Sequence, residues 1–290
     1  MTGGRAVIVE AAINGTRTKA DNPNVPRSPA EIAADALACI EAGAAIVHNH
    51  LEGFGGADDD VAAAYLEGWR PVLEARPDAL VYPTVSFGAA GTSYTHLRPL
   101  AASGLLRLGL CDPGSVNLGP SVDGVPAGGF VYANSFALVA ETLALHAELG
   151  LGPSMAIYEP GFLRLALAHW RAGRLPRGAM FKLYLSTDTG LTGSPFGLPP
   201  TVAALAAYLE LLDGCPVPWA VSVVGGDVCA TPVAEAAVRA GGHLHLGLEF
   251  FGGSRTPTNA ELVREAVALV ESLGCHPATP AEAAELLDLP

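Results

Sequence analysis

The sequence has few basic side chains. Its 290 residues include 16 Lys and Arg against 29 Asp and Glu, which gives a formal net charge of -13. An acidic surface of this kind repels nucleic-acid phosphates and anionic lipids, so we expect neither as a partner. A small anionic substrate is still compatible with the composition, because a single site can be locally positive.

The patterns of a disulfide framework and of a membrane span are also missing. The five cysteines are an odd number and include no Cys-x-x-Cys pair, which is typical of reduced thiols. No apolar run reaches the roughly 20 residues needed to cross a bilayer. The first residues, MTGGRAVIVEAA, resemble a strand rather than an apolar signal region. We therefore expect a cytoplasmic protein with no membrane partner.

Linkers, charge runs and low-complexity segments are absent too, so we predict a single domain over residues 1–290. Half of the residues are hydrophobic, and a chain of this length can bury a large core. Short β-branched runs alternate with Ala- and Leu-rich stretches. The strands are predicted at 6–12, 44–50, 79–86, 106–110, 154–158, 179–185, 218–223 and 243–249.

Helices are predicted between these strands, near 29–43, 58–76, 93–103, 135–149, 161–172, 199–212, 231–240 and 256–273, with a C-terminal helical extension near 280–287. Strands separated by helices pair in parallel through right-handed crossovers. Eight such units favour an α/β fold of the (β/α)8 type, a TIM barrel. A doubly wound open sheet is the alternative, but no Gly-x-Gly-x-x-Gly follows the first strand.

Histidines stand at the end of the second predicted strand. His48 and His50 are two residues apart in AAIVHNH, so on a strand both side chains point to one face. His243, His245 and Glu249 share one parity in GGHLHLGLE, and His243, deeper in the strand, is interpreted as a hydrogen-bonded core residue. In a closed barrel the last strand lies beside the first, so Glu249 can reach a metal held by the two histidines.

Two imidazoles and one carboxylate leave a coordination position open, which is typical of catalytic zinc. We therefore predict a divalent metal, Zn²⁺, bound by His48, His50 and Glu249. The alternative is that these are ordinary polar side chains at strand ends.

The ordered motifs resemble the β-keto acid cleavage enzymes, whose founding activity is 3-keto-5-aminohexanoate cleavage. The motifs are AAINGTRTKADNPNVPRSPAEIA, EAGAAIVHNH, DPGSVNLG, IYEPG, GGHLHLGLE, TNAELV and ATPAEAAELL. The resemblance implies a TIM barrel, zinc on His48, His50 and Glu249, and a homo-oligomer, either a dimer or a tetramer. It also implies that a β-keto acid condenses with acetyl-CoA and is cleaved to acetoacetate and a new acyl-CoA.

The same resemblance assigns substrate-binding positions. Ser86 in TVSFG matches a serine that contacts the substrate carboxylate, and Asn117 in SVN matches a recurrent asparagine; either could instead be structural. Arg17 aligns with a glutamate that meets the substrate amino group in the aminohexanoate enzyme. A guanidinium at this position argues against an amino-substituted substrate and favours a neutral or anionic tail. Glu159 in IYEPG is also expected at the substrate.

The sequence departs from the family where a proton must be moved. Phe250 stands where the family has an aspartate proposed as the base, and His245 stands where it has the supporting arginine. Pro153-Ser154-Met155-Ala156 lacks both carboxylates of a family Pro-Glu-x-Glu strand.

Other side chains are candidates for the missing base. Glu10 lies in the apolar strand VIVEAA, where the surroundings suit a carboxylic acid for general acid–base work, although it could instead pair with a cation. His245 is the second candidate, because an imidazole titrates near neutral pH. Asp112 and Glu159 are weaker candidates.

Three functions stay open. The first is zinc-dependent β-keto acid cleavage with a CoA thioester as co-substrate. The second keeps the metal but works without CoA, as an aldolase, lyase or hydrolase on a small carbonyl acid; Lys182 is a weaker Schiff-base alternative. The third is a catalytically retired barrel that binds a ligand.

Overall fold

The computed structural model describes residues 4–53, 55–88 and 91–289, and its centre is an eight-stranded parallel sheet. In chain order the strands are β1 (Val9–Ala12), β2 (Ile46–Asn49), β3 (Leu80–Pro83), β4 (Leu108–Leu110), β5 (Gly152–Ile157), β6 (Met180–Ser186), β7 (Trp219–Val224) and β8 (His243–Leu246). They pair in the order β3-β2-β1-β8-β7-β6-β5-β4, and the end strands β3 and β4 contact each other. The sheet is thus a nearly closed barrel, and the predicted TIM-barrel fold is confirmed.

A helix lies in every crossover between successive strands. The helices are α1 (Pro29–Ala42), α2 (Asp58–Ala75), α3 (Leu97–Ala102), α4 (Phe136–Leu149), α5 (Pro160–Arg171), α6 (Val202–Leu211), α7 (Pro232–Arg239), α8 (Asn259–Ser272) and α9 (Pro280–Leu286). None of these helices combines the length and the apolar composition that a bilayer crossing requires, within the described ranges.

Two strands end three residues earlier than the sequence pattern predicts. The predicted strand 79–86 stops at Pro83, whose nitrogen has no hydrogen to donate to a ladder, and Ser86–Gly88 then pairs antiparallel with Gly91–Ser93. The predicted strand 243–249 stops at Leu246 because Gly247 has a φ of 133°, outside extended geometry. Placing Glu249 on the last strand was therefore wrong; it lies in the turn that follows.

The segment between β4 and α4, residues 111–135, is folded rather than irregular, and we call it the β4 excursion. Val116–Leu118 pairs with Phe130–Tyr132, and Ser121–Val122 pairs with Val125–Pro126, both antiparallel. Because this excursion leaves the barrel at the carboxyl end of β4, it lies at the mouth, where TIM-barrel enzymes carry their catalytic groups.

Capping residues fix where the helices begin. At α1 the Ser28 hydroxyl accepts from the Glu31 N–H at 3.3 Å, and Glu31 Oε2 accepts from the Ser28 N–H at 3.0 Å. We expect Ser28→Ala to lower the free energy of unfolding by about 1 kcal/mol, because a helix N–H loses its acceptor. Urea unfolding followed by circular dichroism measures this loss. Ser28→Asp keeps an acceptor, so equal losses in both variants would contradict the capping role.

Candidate metal centre and catalytic cavity

Three metal-ligating side chains converge at the carboxyl-terminal mouth of the barrel. His48 lies on β2, His50 follows that strand, and Glu249 lies in the turn after β8; all three are buried. His50 Nε2 is 3.3 Å from Glu249 Oε1, and His48 Nε2 is 3.6 Å from Glu249 Oε2. One ligand atom from each residue can be chosen so that all three lie within 4.8 Å of one another. This spacing lets one cation contact all three.

The backbone around the cluster is held by hydrogen bonds that join distant segments. The Asn14 side chain accepts from the His50 N–H at 2.8 Å and donates to the His50 carbonyl at 3.0 Å. The Glu249 N–H donates to the Ala12 carbonyl at 3.2 Å. A Cβ at Gly247 would lie 2.1 Å from that same carbonyl oxygen, so only glycine allows this approach. Asn14 was not identified from the sequence, although it lies only two residues after β1.

The protonation states of the cluster suit a divalent metal. His48 Nδ1 lies 3.2 Å from the Tyr82 carbonyl oxygen, which places the ring proton on Nδ1 and leaves the Nε2 lone pair facing Glu249. Burial, together with the nearby His50 and Lys182, lowers the pKa of His48 well below its usual value, so the ring is neutral. Burial opposes ionisation of Glu249, but His50, His245 and Lys182 together hold the pKa of that carboxyl below its ordinary value.

The surroundings of one carboxylate oxygen in the cluster indicate which kind of ion the site could hold. Glu249 Oε2 is a buried carboxylate oxygen with no hydrogen-bond partner in the part of the chain that the structure describes. A buried anionic oxygen is costly unless a cation or a donor meets it. Two imidazoles, one ionised carboxylate and this unsatisfied oxygen together fit Zn²⁺, the ion that prefers such mixed nitrogen and oxygen ligands.

A cavity of about 560 Å³ opens above the cluster. Its lining includes His48, His50 and Glu249 at one end. Aromatic and aliphatic side chains form most of the remaining wall, among them Phe87, Leu110, Leu118, Tyr132, Tyr158 and Tyr184. Tyr158 directly follows β5, so its place at the strand end is the signal by which the sequence could have indicated it.

Asp112 is the one carboxylate besides Glu249 among the described residues that line this cavity. Its Oδ2 accepts from the Tyr132 hydroxyl at 2.8 Å, and its Oδ1 accepts from the Ala156 N–H at 3.2 Å. Burial raises the pKa of Asp112 to about 6 even though these bonds favour the ionised form. A carboxylate with such a pKa, held at a substrate-sized cavity, can take up and return a proton near neutral pH.

Glu10 and His245, the base candidates favoured by the sequence, lie inside the barrel. Glu10 Oε1 accepts a short hydrogen bond from the Tyr82 hydroxyl and lies 3.3 Å from His245 Nε2. Lys182 Nζ is 2.5 Å from the Tyr82 hydroxyl oxygen and 3.4 Å from Glu10 Oε1. None of these four residues belongs to the cavity lining. Lys182 is a buried ion-pair partner of Glu10.

The expected substrate-binding residues are spread over several places. Arg17 lies in a neighbouring groove rather than in the metal cavity. Ser86 is buried between two cavity residues, Val85 and Phe87. Asn117 is exposed on the β4 excursion, opposite Val131. Glu159 precedes α5, and its Oε1 accepts from the Gly197 N–H at 2.9 Å. The structure thus brings together the metal set but not these four residues.

His243 takes the core role indicated by the sequence. Its Nδ1 accepts a hydrogen bond from the Ile8 N–H at 3.0 Å, within the buried interior. Phe250 is buried as well, and its ring lies 4.9 Å from His245 and 5.1 Å from Tyr184. Phe250 and His245 therefore pack ring against ring at the two positions where the family resemblance implies an aspartate and its supporting arginine.

A nearly closed barrel with a cavity, and with a cluster that could hold a metal ion, at its carboxyl-terminal mouth is typical of TIM-barrel enzymes. The profile of the beta-keto acid cleavage enzymes matches residues 6–289. The chain therefore belongs to the β-keto acid cleavage enzyme family, as a divergent member.

Individual relatives agree with this assignment. The chain is 24% identical over 288 residues to the 3-keto-5-aminohexanoate cleavage enzyme of Acetoanaerobium sticklandii, covering 98% of each chain. It is 26% identical to the 3-dehydrocarnitine:acetyl-CoA trimethylamine transferase of Rhizobium meliloti, covering 98% of this chain and 97% of the relative. The apo structure of ObcA shares the fold, with a TM-score of 0.68 at 15% identity, over 92% of this chain and 66% of ObcA.

Proposed function

We propose that the chain is a zinc-dependent β-keto acid cleavage enzyme that uses acetyl-CoA. The observation behind this proposal is the convergence of His48, His50 and Glu249 at one cavity, in a member of this family. Zinc held by these three residues would act as a Lewis acid on the keto oxygen of the substrate. The products are acetoacetate and an acyl-CoA that carries the substrate's tail.

Proton transfer is assigned to Asp112, because it lines the cavity and Glu10 and His245 do not. Its carboxylate takes a proton from C2 of the β-keto acid, and C2 then bonds to the acetyl carbon of acetyl-CoA while the CoA thiolate leaves. The thiolate attacks C3, the C2–C3 bond breaks, and Asp112 returns the proton to C2. Every atom is then accounted for in acetoacetate and the new acyl-CoA.

Glu10, with His245 beside it, is assigned a positioning role for the residues that would hold the metal. Glu10 holds the hydroxyl of Tyr82, whose ring stacks on His48 with centroids 4.5 Å apart and whose carbonyl fixes the His48 tautomer. A change at Glu10 therefore acts through Tyr82 on the orientation of a metal ligand. Ser86 stays a predicted contact of the substrate carboxylate. The homo-oligomer and the cytoplasmic location stay predictions.

The co-substrate is assigned to a second groove beside the cavity. This groove, of about 960 Å³, shares Thr16, Leu191 and Thr192 with the metal cavity. Glycines form much of its wall, so backbone groups can approach a long, narrow ligand: Gly190, Gly193, Gly225, Gly252 and Gly253. Arg17 lies in the same groove, and its guanidinium donates to the Phe251 carbonyl at 3.4 Å. This leaves its other N–H groups for a phosphate of CoA.

We expect Arg17→Ala to raise the KM for acetyl-CoA by about tenfold, because a charge-assisted hydrogen bond to phosphate is lost. Acetyl-pantetheine lacks the nucleotide phosphates, so its KM should not change. Initial rates with both thioesters measure the difference. Lys19→Ala removes a surface charge already paired with Glu31 and is the matched control. Equal effects of Arg17→Ala on both thioesters would remove Arg17 from the CoA site.

The reaction itself is tested by incubating the zinc-loaded protein with a β-keto acid panel and acetyl-CoA. Acetoacetate and a new acyl-CoA are expected in equal amounts, and both should depend on acetyl-CoA. Turnover whose rate does not depend on acetyl-CoA would instead indicate an aldolase, lyase or hydrolase. Absence of turnover with every keto acid would instead favour a catalytically retired barrel that binds a ligand.

A further inference from the structure

One side of the cavity is a continuous aromatic wall. Ring centroids are 6.2 Å apart for Phe87 and Tyr132, 6.0 Å for Tyr132 and Tyr158, and 5.0 Å for Tyr158 and Tyr184. Leu110, from β4, and Leu118, from the β4 excursion, also line the cavity. A ligand tail in this space would be surrounded mainly by apolar side-chain atoms.

The charged side chains in the described lining of this cavity are two carboxylates, Glu249 and Asp112. Neither lysine nor arginine occurs among the described residues of its lining. Glu249 belongs to the metal cluster, and both oxygens of Asp112 already accept hydrogen bonds. Arg17, which favoured an anionic tail when only the sequence was considered, lies in the neighbouring groove. The described lining therefore offers no cation to an anionic tail, and its carboxylates already have other partners.

The free energy of binding in such a cavity depends on the charge of the substrate tail. A carboxylate tail would lose its hydration without meeting a cation, and a primary ammonium would need acceptors for three N–H groups. An uncharged tail loses little hydration and buries apolar surface against the rings. Tyr158 and Tyr184 are over nine-tenths buried, and neither hydroxyl bonds to a described residue, so both can donate to a neutral oxygen on the ligand.

We infer that this cavity selects β-keto acids whose tail beyond the C3 carbonyl is uncharged. The inference rests on the proposed function, and it names the substrate class for the same site. It separates this chain from a relative whose name specifies 3-keto-5-aminohexanoate, a substrate with an amino group in the tail.

The test compares keto acids of equal length that differ in tail charge. Isothermal titration of the zinc-loaded protein without acetyl-CoA measures binding of 3-oxohexanoate, 3-oxoadipate and 3-keto-5-aminohexanoate, so no turnover intervenes. 3-Oxohexanoate is expected to bind at least about tenfold more tightly than either charged acid. Equal affinities, or preference for a charged tail, would overturn the inference. Tighter binding of 3-dehydrocarnitine would overturn it too, because the wall would then serve as an aromatic cage for trimethylammonium.

Two variants place the same positive charge either in the cavity wall or outside it. Leu118→Arg places a guanidinium at the cavity and should raise the affinity ratio of 3-oxoadipate to 3-oxohexanoate by about tenfold. Val122→Arg adds the same charge on an exposed side chain of the β4 excursion, outside the cavity lining, and should leave the ratio unchanged. If the wild-type binding order holds but acetyl-CoA yields no acetoacetate, the proposed reaction fails while the tail preference stands.

Discussion

Replacing Glu249 with glutamine is expected to remove stoichiometric zinc and to lower turnover by about a thousandfold, since stabilisation of developing charge is usually the largest catalytic contribution. The amide keeps the size of the side chain but loses the anionic oxygen that lies 3.6 Å from His48 Nε2. His48→Ala should have the same effect, because it removes another ligand atom of the cluster. Metal content by mass spectrometry and acetoacetate release are the two measurements.

The control for this pair is His169→Ala, a half-buried histidine on α5 that belongs neither to the cluster nor to the cavity lining. It should keep both zinc and turnover. Stoichiometric zinc in Glu249→Gln together with wild-type turnover would remove the metal cluster from the mechanism. Zinc retained in His48→Ala, with turnover lost, would instead place the metal elsewhere.

Asp112→Asn is expected to lower kcat by a factor of about a hundred to ten thousand, the usual contribution of a positioned general base. The fold should be preserved, because the amide oxygen can still accept from the Ala156 N–H and the amide nitrogen can donate to the Tyr132 hydroxyl oxygen. Exchange of the C2 hydrogens of 3-oxohexanoate for deuterium, followed by NMR without acetyl-CoA, reports proton removal alone. This exchange should disappear in Asp112→Asn.

The pH profile gives a second check on the same residue. Burial raises the pKa of Asp112 to about 6, and only its ionised form can accept a proton. The wild-type kcat/KM should therefore fall as the pH drops through about 6, and this acidic limb should be missing from the residual activity of Asp112→Asn. Glu10→Gln is the comparison. If it abolishes deuterium exchange and Asp112→Asn does not, the base is Glu10.

Several features could be predicted from local sequence pattern. The alternation of β-branched and Ala/Leu-rich stretches predicted the parallel barrel. This was possible because the hydrophobic periodicity of a strand or a helix depends only on residues that are close in sequence. The spacing of His48 and His50 predicts a shared face for the same reason, and the two rings indeed lie with centroids 5.0 Å apart. The identity of His243 as a core histidine also follows from its depth in the strand.

Other features were decided only by contacts between distant segments. Glu249 reaches the histidines through a turn made possible by Gly247 against Ala12, rather than through the parity of a strand. Glu10 faces inward to Lys182 and Tyr82, while Asp112 faces the cavity.

The amino-acid sequence by itself determined the barrel and the pair of histidines, because both arise from short-range periodicity along one strand or helix. Only the tertiary structure decided which carboxylate lines the cavity, where Arg17 lies and how Glu249 reaches the two histidines. These depend on turn geometry and on the register between segments more than two hundred residues apart, such as Glu10 opposite His245, and no local pattern contains that information.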